Sequence, residues 1–379
     1  MEFAFDEPLL RMRELGRSAG YRYAAPSAQL RDNGAIWDER LFTSLARAGV
    51  AHAAIPLAYG GLGANVLETV AVLEGFGEGS GDTGLSLAVA VHGMLCALPI
   101  ALLGTPQQRD RYLGAMASGT WLGALALAEL DGGATASGHD VTATRFLDGW
   151  ILEGEKADVI NAPNAHHFLI TARTSSDRRT AFVVDRDTAG LSVAPDPAQT
   201  AVRTCRMSRV KFSDCRVGPQ AVLGTPGNAA AGLVPLLAAL DRTCLLAPWL
   251  GILREVVRLG RETAARRFVL SRPLAHSQSV RAALVDGQTL VEAASGLLYR
   301  AAWQLDRSEP ASRRDAAAAK LFLGRAVRDV TRTVAELCGT AADGLVRRAY
   351  RDSLLLTASG GGVEVLNVVI AGPAPSRTA

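Results

Sequence analysis

The chain has 379 residues, of which 49% are hydrophobic and 20% charged, and its formal net charge is only +3. A chain of this length and apolar content can bury a large core, which predicts a soluble globular protein of two or three domains. The small net charge, without a dense Lys/Arg block, argues against nucleic acid as a partner. The N-terminal segment has acidic residues among its apolar ones and no basic stretch before an apolar run, so we expect no signal peptide.

Cysteine spacing and the longest apolar run both bear on the protein's location. The five cysteines are scattered and form no Cys-x-x-Cys pair, which predicts reduced core thiols and neither a disulfide framework nor a zinc site. The run from Gly84 to Ala101 is interrupted by His92, Gly93 and Pro99, and it contains no clean stretch of 18 apolar residues. It therefore predicts a buried helix and no membrane insertion. We expect a cytoplasmic protein.

Periodicity divides the chain into three stretches. Helical spacing, broken by Gly and Pro, marks Asp38–Ala48, Leu67–Gly75, Thr83–Leu103 and Pro106–Ser118. From Trp121 to Gly224, short segments rich in Val, Thr, Ile and Phe alternate with turn residues, which predicts antiparallel strands. These segments read GWILEGEKADVI, HHFLITART, RTAFVVDRD, GLSVAP and SRVKFSDCRV. Helical spacing then returns in Leu233–Ser271, Ser277–Asp306, Pro310–Gly339 and Val363–Ala371.

The order of these elements predicts an α+β fold with three parts. They are an N-terminal helical domain (residues 1–120), a small central antiparallel β domain (121–228) and a C-terminal four-helix bundle (229–379). Six local motifs follow one another along this framework. They are IPLAYGGLGA (55–64), VHGMLCALPIALLGTPQQRDRYLGAMASG (91–119), WILEGEKADVINAP (150–163), VKFSDCRVGPQAVLG (210–224), RRFVLSRPLAHSQSV (266–280) and RRAYRDS (347–353).

That order of motifs resembles the acyl-CoA dehydrogenase family of flavoproteins over nearly the whole chain. The resemblance implies an FAD between the β domain and the C-terminal bundle, with a neighbouring subunit contributing to its diphosphate site. It therefore implies a homodimer, a homotetramer or a hetero-oligomer with a paralogue. It places Arg267 and Gln278 at the diphosphate and adenosine contacts, where a guanidinium offers paired donors and an amide offers both a donor and an acceptor. The alternative for Arg267 is a solvated arginine at a helix end.

Further cofactor positions follow from the same resemblance. They are Leu127, Ala128, Ala134, Asp158, Ile160, Leu270, Gly339 and Gly362. The family's Trp-Ile-Thr against the flavin ring is Asp158-Val159-Ile160 here, and Ala134 replaces a residue that carries a hydroxyl. Because hydroxyl contacts are lost while main-chain contacts can remain, we expect FAD to be bound, but weakly.

The stretch Ser359-Gly360-Gly361-Gly362 lies where the family has Tyr-Glu-Gly-Thr, so the family's catalytic Glu falls on Gly360. That Glu removes the α-proton of an acyl thioester while the flavin takes a hydride from the β-carbon. Such a base needs a carboxylate whose pKa is raised by burial. Other members carry the base on an earlier helix, at a position that is Thr243 here. The resemblance thus predicts a site in which neither usual base is present.

Three other features have ordinary explanations that outweigh functional ones. His92, a residue type that titrates near neutrality in water, is expected in the core or lining a pocket. His166 and His167 are neighbours in a predicted strand, so their side chains point to opposite faces and cannot bind one metal together. Glu364 is expected to stabilise the start of a helix. These residues therefore predict neither a replacement base nor a metal site.

Three hypotheses about function remain open at this point. The leading one is redox chemistry on an acyl thioester that is carried by CoA or by an acyl-carrier protein. A flavin-dependent monooxygenase on the same fold is the second, since it needs no carboxylate base. The third is a degenerate subunit that completes the flavin site of an active paralogue through Arg267 and Gln278.

Overall fold

The structure is a computed structural model that describes residues 6–127, 141–195, 199–309, 312–339, 344–358 and 362–372. Along the chain, helices come first, strands follow, and helices return. The predicted α+β architecture in three parts is therefore confirmed.

The N-terminal part is helical. Its helices are α1 (Glu7–Ala19), α2 (Ala28–Gly34), α3 (Glu39–Arg47), α4 (Val66–Ser80), α5 (Thr83–Ala90), α6 (Leu98–Leu103) and α7 (Pro106–Ala117). The side chains of Asp38, Asn65 and Thr105 cap α3, α4 and α7 by accepting hydrogen bonds from main-chain N–H groups in the first turn. A cap supplies partners that the helix itself lacks, so these three helices begin at or next to the predicted positions. The helices α1 and α2 are additions to the predicted set.

The helix α5, the π-helical turn Val91–Ala97 and α6 form one apolar stretch, Thr83–Leu103. This stretch and Leu233–Arg266 are long and apolar enough to cross a membrane by length and composition. The first stretch meets this test on mean hydropathy, although His92, Gly93 and Pro99 interrupt its apolar run. However, 78% and 83% of their most apolar 18-residue windows are buried inside the fold. The predicted role of the first stretch as a buried helix is confirmed.

The central part is one mixed sheet. Its strands are β1 (Gly123–Ala126), β2 (Thr142–Phe146), β3 (Gly149–Ile160), β4 (His167–Arg173), β5 (Arg179–Asp185), β6 (Leu191–Val193), β7 (Met207–Val217) and β8 (Val222–Leu223). They are ordered β6-β7-β3-β1-β4-β5-β8, with β2 paired to both β3 and β4. Most pairs are antiparallel, as predicted, but β1 runs parallel to β4, with Gly123 opposite His167. This difference arises because β1, which the alternation pattern did not reveal, inserts between β3 and β4.

The long strand β3 carries two irregularities in its pairing with β7. Asp158 lies at the second of them, with a φ of 46°, and its side chain is exposed. Asn161, directly after the strand, has a φ of 68° and donates from Nδ2 to the carbonyl of Ala88 in α5 at 3.0 Å. Such bulges re-aim side chains. Here the bend turns Asp158 to solvent while the end of β3 reaches the N-terminal helices.

The C-terminal part is helical again. Its elements are α8 (Leu233–Asp241), α9 (Ala247–Arg266), β9 (Phe268–Val269), β10 (Arg272–Pro273), α10 (Gln278–Asp306), α11 (Ser312–Cys338), α12 (Gly344–Ala358) and α13 (Gly362–Ala371). The predicted single helix over Leu233–Ser271 is wrong, because the helix breaks at Thr243. Pro248, in the first turn of α9, lacks an N–H and clashes with the carbonyl four residues earlier, so a continuous helix is excluded. Beyond α9, the hairpin β9–β10 turns through Leu270 and Ser271.

Two large cores organise the described residues, and one of two small clusters joins the parts of the chain. The largest core joins the N-terminal and C-terminal helices, and a second fills the β domain around side chains such as Trp150 and Phe168. The small cluster consists of Ala88, Val202 and Cys205, which come from α5 and from the β domain. All five cysteines are buried free thiols, as predicted. The small cluster marks the place where the three parts of the chain meet.

Candidate active site

The candidate site is built on an apolar seam, which we define by Leu87 of α5, Ile160 of β3 and Leu355 of α12. These partly buried side chains pack against the small cluster described above. The short helical segment 244–246, directly after Thr243, also contacts α5, as does α12. The segment that follows Thr243 and the helix α12 therefore both approach α5, whereas Gly360, after α12 in the chain, lies outside the described residues.

Asp352 of α12 ties the seam together. Its buried carboxylate accepts hydrogen bonds from the hydroxyl of Thr83, from the N–H of Val202 at 2.9 Å and from Nε of Arg351 at 2.7 Å. The guanidinium of Arg351 also binds both carboxylate oxygens of Asp32, at 2.9 and 2.7 Å. Bidentate, charge-assisted pairs of this kind are strong and directional. They hold α12 against α2, α5 and the β domain.

Asp82, the N-cap of α5, forms a second buried junction. Its carboxylate accepts from Arg31 at 2.8 Å, from the hydroxyl of Thr204 at 2.5 Å and from the N–H of Leu85 at 3.0 Å. Between these contacts, Val202 adopts a φ of 45°, which is an uncommon and strained conformation for a β-branched residue. The buried carboxylates of Asp82 and Asp352 thus hold a strained turn of the β domain in place.

Thr243 is fully buried, but its hydroxyl is not arranged as a base. Its Oγ1 donates to the carbonyl of Ala239 at 2.8 Å and lies 3.8 Å from Sγ of Cys244. Burial raises the pKa of the Cys244 thiol to about 12, so that thiol is neutral near pH 7. Neither side chain offers the charged acceptor that removal of an α-proton requires.

Several predicted positions lie outside the described residues: Gly360, Ala128 and Ala134. Of the glycine stretch, the structure describes Gly362, which begins α13 with a φ of 74°. A Cβ at Gly362 would lie 2.9 Å from Oε2 of Glu364. The Glu364 carboxylate therefore folds back over the first residue of α13, where an acidic group is favoured by the helix dipole.

His92 lies in the core. Its Nδ1 accepts from the N–H of Gly123 at 3.1 Å, so Nε2 carries the proton and donates to the carbonyl of Met116 at 3.3 Å. Its ring meets Phe42 edge to face, with centroids 5.1 Å apart. Burial lowers the pKa of His92 to about 4, so it is neutral near pH 7. It acts as a bridge between the N-terminal helices and β1.

His166 and His167 lie on opposite faces of their strand, as predicted. His166 is exposed, and its Nδ1 accepts from the N–H of Leu122 at 3.1 Å. His167 is fully buried, packs on Tyr112 with ring centroids 4.9 Å apart, and has no hydrogen-bond partner for either ring nitrogen among the described residues. Burial lowers its pKa to about 3. Within the described part of the chain, no group of three or more His, Cys, Asp or Glu side chains could hold a metal ion.

The other end of α9 holds the predicted diphosphate residues. Arg267 is exposed, and its Nη1 donates to the carbonyl of Leu337 at 2.7 Å. Gly339 has a φ of 57°, and a Cβ there would lie 3.5 Å from the same Nη1. Gln278 begins α10 and is also exposed. The structure thus brings Arg267 and Gly339 together and leaves the remaining guanidinium donors open to solvent.

The hairpin β9–β10 projects between Arg267 and Gln278. Leu270 and Ser271 at its tip have φ values of 49° and 63°. Leu270 is 93% exposed, and Phe268 is 64% exposed. Apolar side chains this exposed are unpacked within one chain, which is typical of a surface that another molecule covers.

Around the predicted ring site, sequence reasoning missed a buried lysine. Lys156 of β3 is fully buried, and its Nζ lies 3.4 Å from the carbonyl of Leu127. Its spacing from the buried Trp150 and Leu152, by even numbers of residues along an alternating strand, was the available signal, since a buried lysine requires polar partners. The junctions at Asp82 and Asp352 were also missed, because their partners are far away in the chain.

Comparisons with known proteins agree with this arrangement. Models of the acyl-CoA dehydrogenase N-terminal, middle and C-terminal domains match residues 10–120, 124–215 and 237–372. An L-prolyl-[peptidyl-carrier protein] dehydrogenase of Serratia sp. is 29% identical over 341 residues, which cover 87% of this chain and 88% of that protein. A protein of the same description from Pseudomonas fluorescens is 32% identical over 268 residues, covering 69% and 70%.

Solved structures show the same fold. The structure of PigA with FAD and proline superposes with a TM-score of 0.93 at 26% identity, over 98% of each chain. All three domain models match in chain order, and the three parts of the chain meet at one seam. The protein belongs to the acyl-CoA dehydrogenase family.

Proposed function

We propose that this protein is an FAD-dependent oxidoreductase that dehydrogenates an acyl thioester held on a carrier protein. The observation that supports it most is the seam, where the end of β3, α5 and α12 converge in a chain that carries all three family domains. The two L-prolyl-[peptidyl-carrier protein] dehydrogenases support an aminoacyl group on a carrier protein over a fatty acyl group on CoA.

The residues present fit an FAD at its diphosphate end. Arg267 is exposed, and its Nη1 donates a hydrogen bond to the carbonyl of Leu337. Its other N–H groups therefore remain available to a diphosphate. Gly339 has no side chain to cover that guanidinium, and Gln278 is exposed nearby along the chain. Leu127 and Ile160 would border the ring through main-chain groups. When bound, the cofactor supplies the acceptor for the hydride from the β-carbon.

The polar residues at the seam act by holding its helices in position. Asp352 holds α12 in place against α5 and the β domain. The carboxylates of Asp32, Asp82 and Asp352 are all occupied by donors, and the hydroxyl of Thr243 donates to a carbonyl. We therefore assign the α-proton acceptor to none of these four residues.

We further propose that the protein works as an oligomer in which the hairpin β9–β10 covers part of a neighbouring subunit. The exposed Leu270 and Phe268, next to the exposed Arg267, support this. Light scattering at micromolar concentration should give a dimer or tetramer, or a hetero-oligomer if a paralogue is co-expressed. A monomer under both conditions would contradict the proposal.

One experiment separates the three functional hypotheses. The purified protein is mixed anaerobically with a prolyl thioester on a phosphopantetheinylated carrier protein, and the flavin absorbance is followed. Bleaching with formation of an unsaturated prolyl thioester supports dehydrogenation. Flavin that stays oxidised with this thioester but, once reduced chemically and then exposed to oxygen, reoxidises rapidly and gives a hydroxylated product supports a monooxygenase. A colourless protein that restores flavin to a co-expressed paralogue supports the degenerate subunit and contradicts our proposal.

A further inference from the structure

Arg242, the residue at the C-terminal end of α8, is a buried cation without a hydrogen-bond or ion-pair partner among the residues that the structure describes. Its side chain is 8% exposed, and its Nε is enclosed with no hydrogen-bond acceptor. Its guanidinium makes no hydrogen bond or ion pair with any residue that the structure describes. An arginine in this position gives up much of its hydration without compensation, which is costly unless an anion supplies the missing contacts.

Asp241, which precedes Arg242 in the chain, and Asp315, two residues after Arg313, are already paired. Asp241 is bound by Nζ of Lys320 at 2.6 Å, and that lysine is 3% exposed. Asp315 pairs with Arg300 at 3.1 Å. Neither acidic group forms an ion pair with Arg242 within the described residues, although the charge of Asp241 acts on it.

The surroundings add further positive charge. Burial lowers the pKa of Arg242, the neighbouring carboxylate of Asp241 raises it, and the exposed guanidinium of Arg313, in the first turn of α11, lowers it further. α11 is a helix of 27 residues that contacts α8, and Arg313 lies in its first turn. The N-terminus of a long helix carries a partial positive charge and favours anions. Arg242, Arg313 and this helix end thus form a cationic cradle between α8 and α11.

We propose that this cradle binds the phosphate group of the phosphopantetheine arm on which the thioester is carried. The proposal rests on the proposed function, because the same arm occurs in CoA and in carrier proteins. Its position supports it, since Arg242 directly precedes Thr243 and lies at the same end of α9 as the seam. Only Nε is fully enclosed, so the terminal nitrogens are the part of the guanidinium that a phosphate reaches.

The direct test needs no turnover. Titration calorimetry compares pantetheine 4′-phosphate with pantetheine on the FAD-loaded wild type and on Arg242→Gln and Arg242→Lys. A charge-assisted contact predicts that the wild type binds the phosphorylated compound roughly tenfold to a hundredfold more tightly. Arg242→Gln should abolish that preference, while Arg242→Lys keeps part of it. Equal binding of both compounds by the wild type, or an unchanged preference in Arg242→Gln, overturns the proposal.

Two further measurements cover the case in which Arg242→Gln does not fold and identify the source of the phosphate. If Arg242→Gln does not fold, Arg313→Gln takes its place, and an undiminished preference in that variant counts against the cradle. Turnover of prolyl thioesters of pantetheine, CoA and a carrier protein then separates the sources of the phosphate. Absence of turnover with all three contradicts the proposed function and leaves the calorimetric result standing. Equal turnover with the pantetheine and carrier-protein thioesters contradicts the cradle while the proposed function survives.

Discussion

The polar groups near the two ends of helix α9 differ in burial and in how fully they are hydrogen-bonded. At the C-terminal end, Arg267 is exposed and makes one hydrogen bond, to Leu337. Near the N-terminal end, the buried carboxylates of Asp82 and Asp352 are surrounded by donors. A polar group is available to a ligand when it is solvated, or when it is buried and unpaired as in Arg242. The buried, fully paired carboxylates at the seam hold the fold together instead.

This contrast predicts that changes at the seam alter catalysis or stability, whereas changes at the exposed end alter binding alone.

Placing a carboxylate at Gly360 should restore the base that the family places there. Because a positioned general base contributes about 10²–10⁴ in rate, Gly360→Glu should raise α,β-dehydrogenation of an acyl thioester by at least 10²-fold, measured as anaerobic flavin bleaching. Gly360→Ala is the control, since it adds a side chain without a base. Equal rates in the two variants, with equal flavin content, would mean that the glycine stretch is only a hinge.

Removing the Asp352 carboxylate should destabilise the fold more than any substitution at the exposed end. Asp352→Ala leaves Arg351, Thr83 and the N–H of Val202 without their acceptor, which should cost about 3–5 kcal/mol in the free energy of unfolding. Denaturant unfolding measures it, with Asp329→Ala, at an exposed position of α11, as the matched control. Asp352→Asn keeps one acceptor oxygen and should fall between the two. A loss below about 1 kcal/mol in Asp352→Ala would contradict the proposed tie.

Removing the Arg267 guanidinium should weaken the cofactor and spare the fold. Arg267→Ala loses a charge-assisted contact of about 1.5–3 kcal/mol, or roughly tenfold to a hundredfold in FAD affinity. The free energy of unfolding of the apoprotein should change by less than about 0.5 kcal/mol, as is usual for an exposed residue. Arg266→Ala, one residue earlier and 82% exposed at its side chain, is the control. Flavin retention equal to wild type after dialysis would show that the cofactor lies elsewhere.

The buried histidines should make the protein sensitive to acid. The folded-state pKa values of His92 and His167, about 4 and about 3, lie below the ordinary value of 6.5. The unfolded chain then binds more protons, so stability is lost as the pH falls from about 6.5 towards 3. At pH 5 each histidine should account for about 2 kcal/mol.

The matched variants for this effect are His167→Leu and His276→Leu. His276 is exposed next to the hairpin, so its replacement should leave the pH dependence of unfolding unchanged. His167→Leu should reduce the loss between pH 7 and pH 5 by about 2 kcal/mol. If both variants follow the wild-type profile, His167 is not responsible for the acid sensitivity.

Local patterns predicted the elements whose limits are set by neighbouring residues. The caps at Asp38, Asn65 and Thr105 start helices because they satisfy main-chain groups within the same turn. The alternation in GWILEGEKADVI predicted β3 over its full length, Gly149–Ile160, because that strand has buried and exposed faces along most of its course. The order of motifs likewise predicted the family, since each motif is short and contiguous.

Only the tertiary structure shows which polar groups are already paired and which remain available to a ligand. Arg351 and Asp32 are 319 residues apart in the chain, and no spacing rule connects them. The same holds for the parallel pairing of β1 with β4 and for the isolation of Arg242. Periodicity reports contacts between residues a few positions apart, whereas burial and ion pairing depend on which distant segments pack together. For that reason the sequence by itself determined the order of elements and the family, and only the fold determined that Asp352 serves as a tie and Arg242 as an open cation.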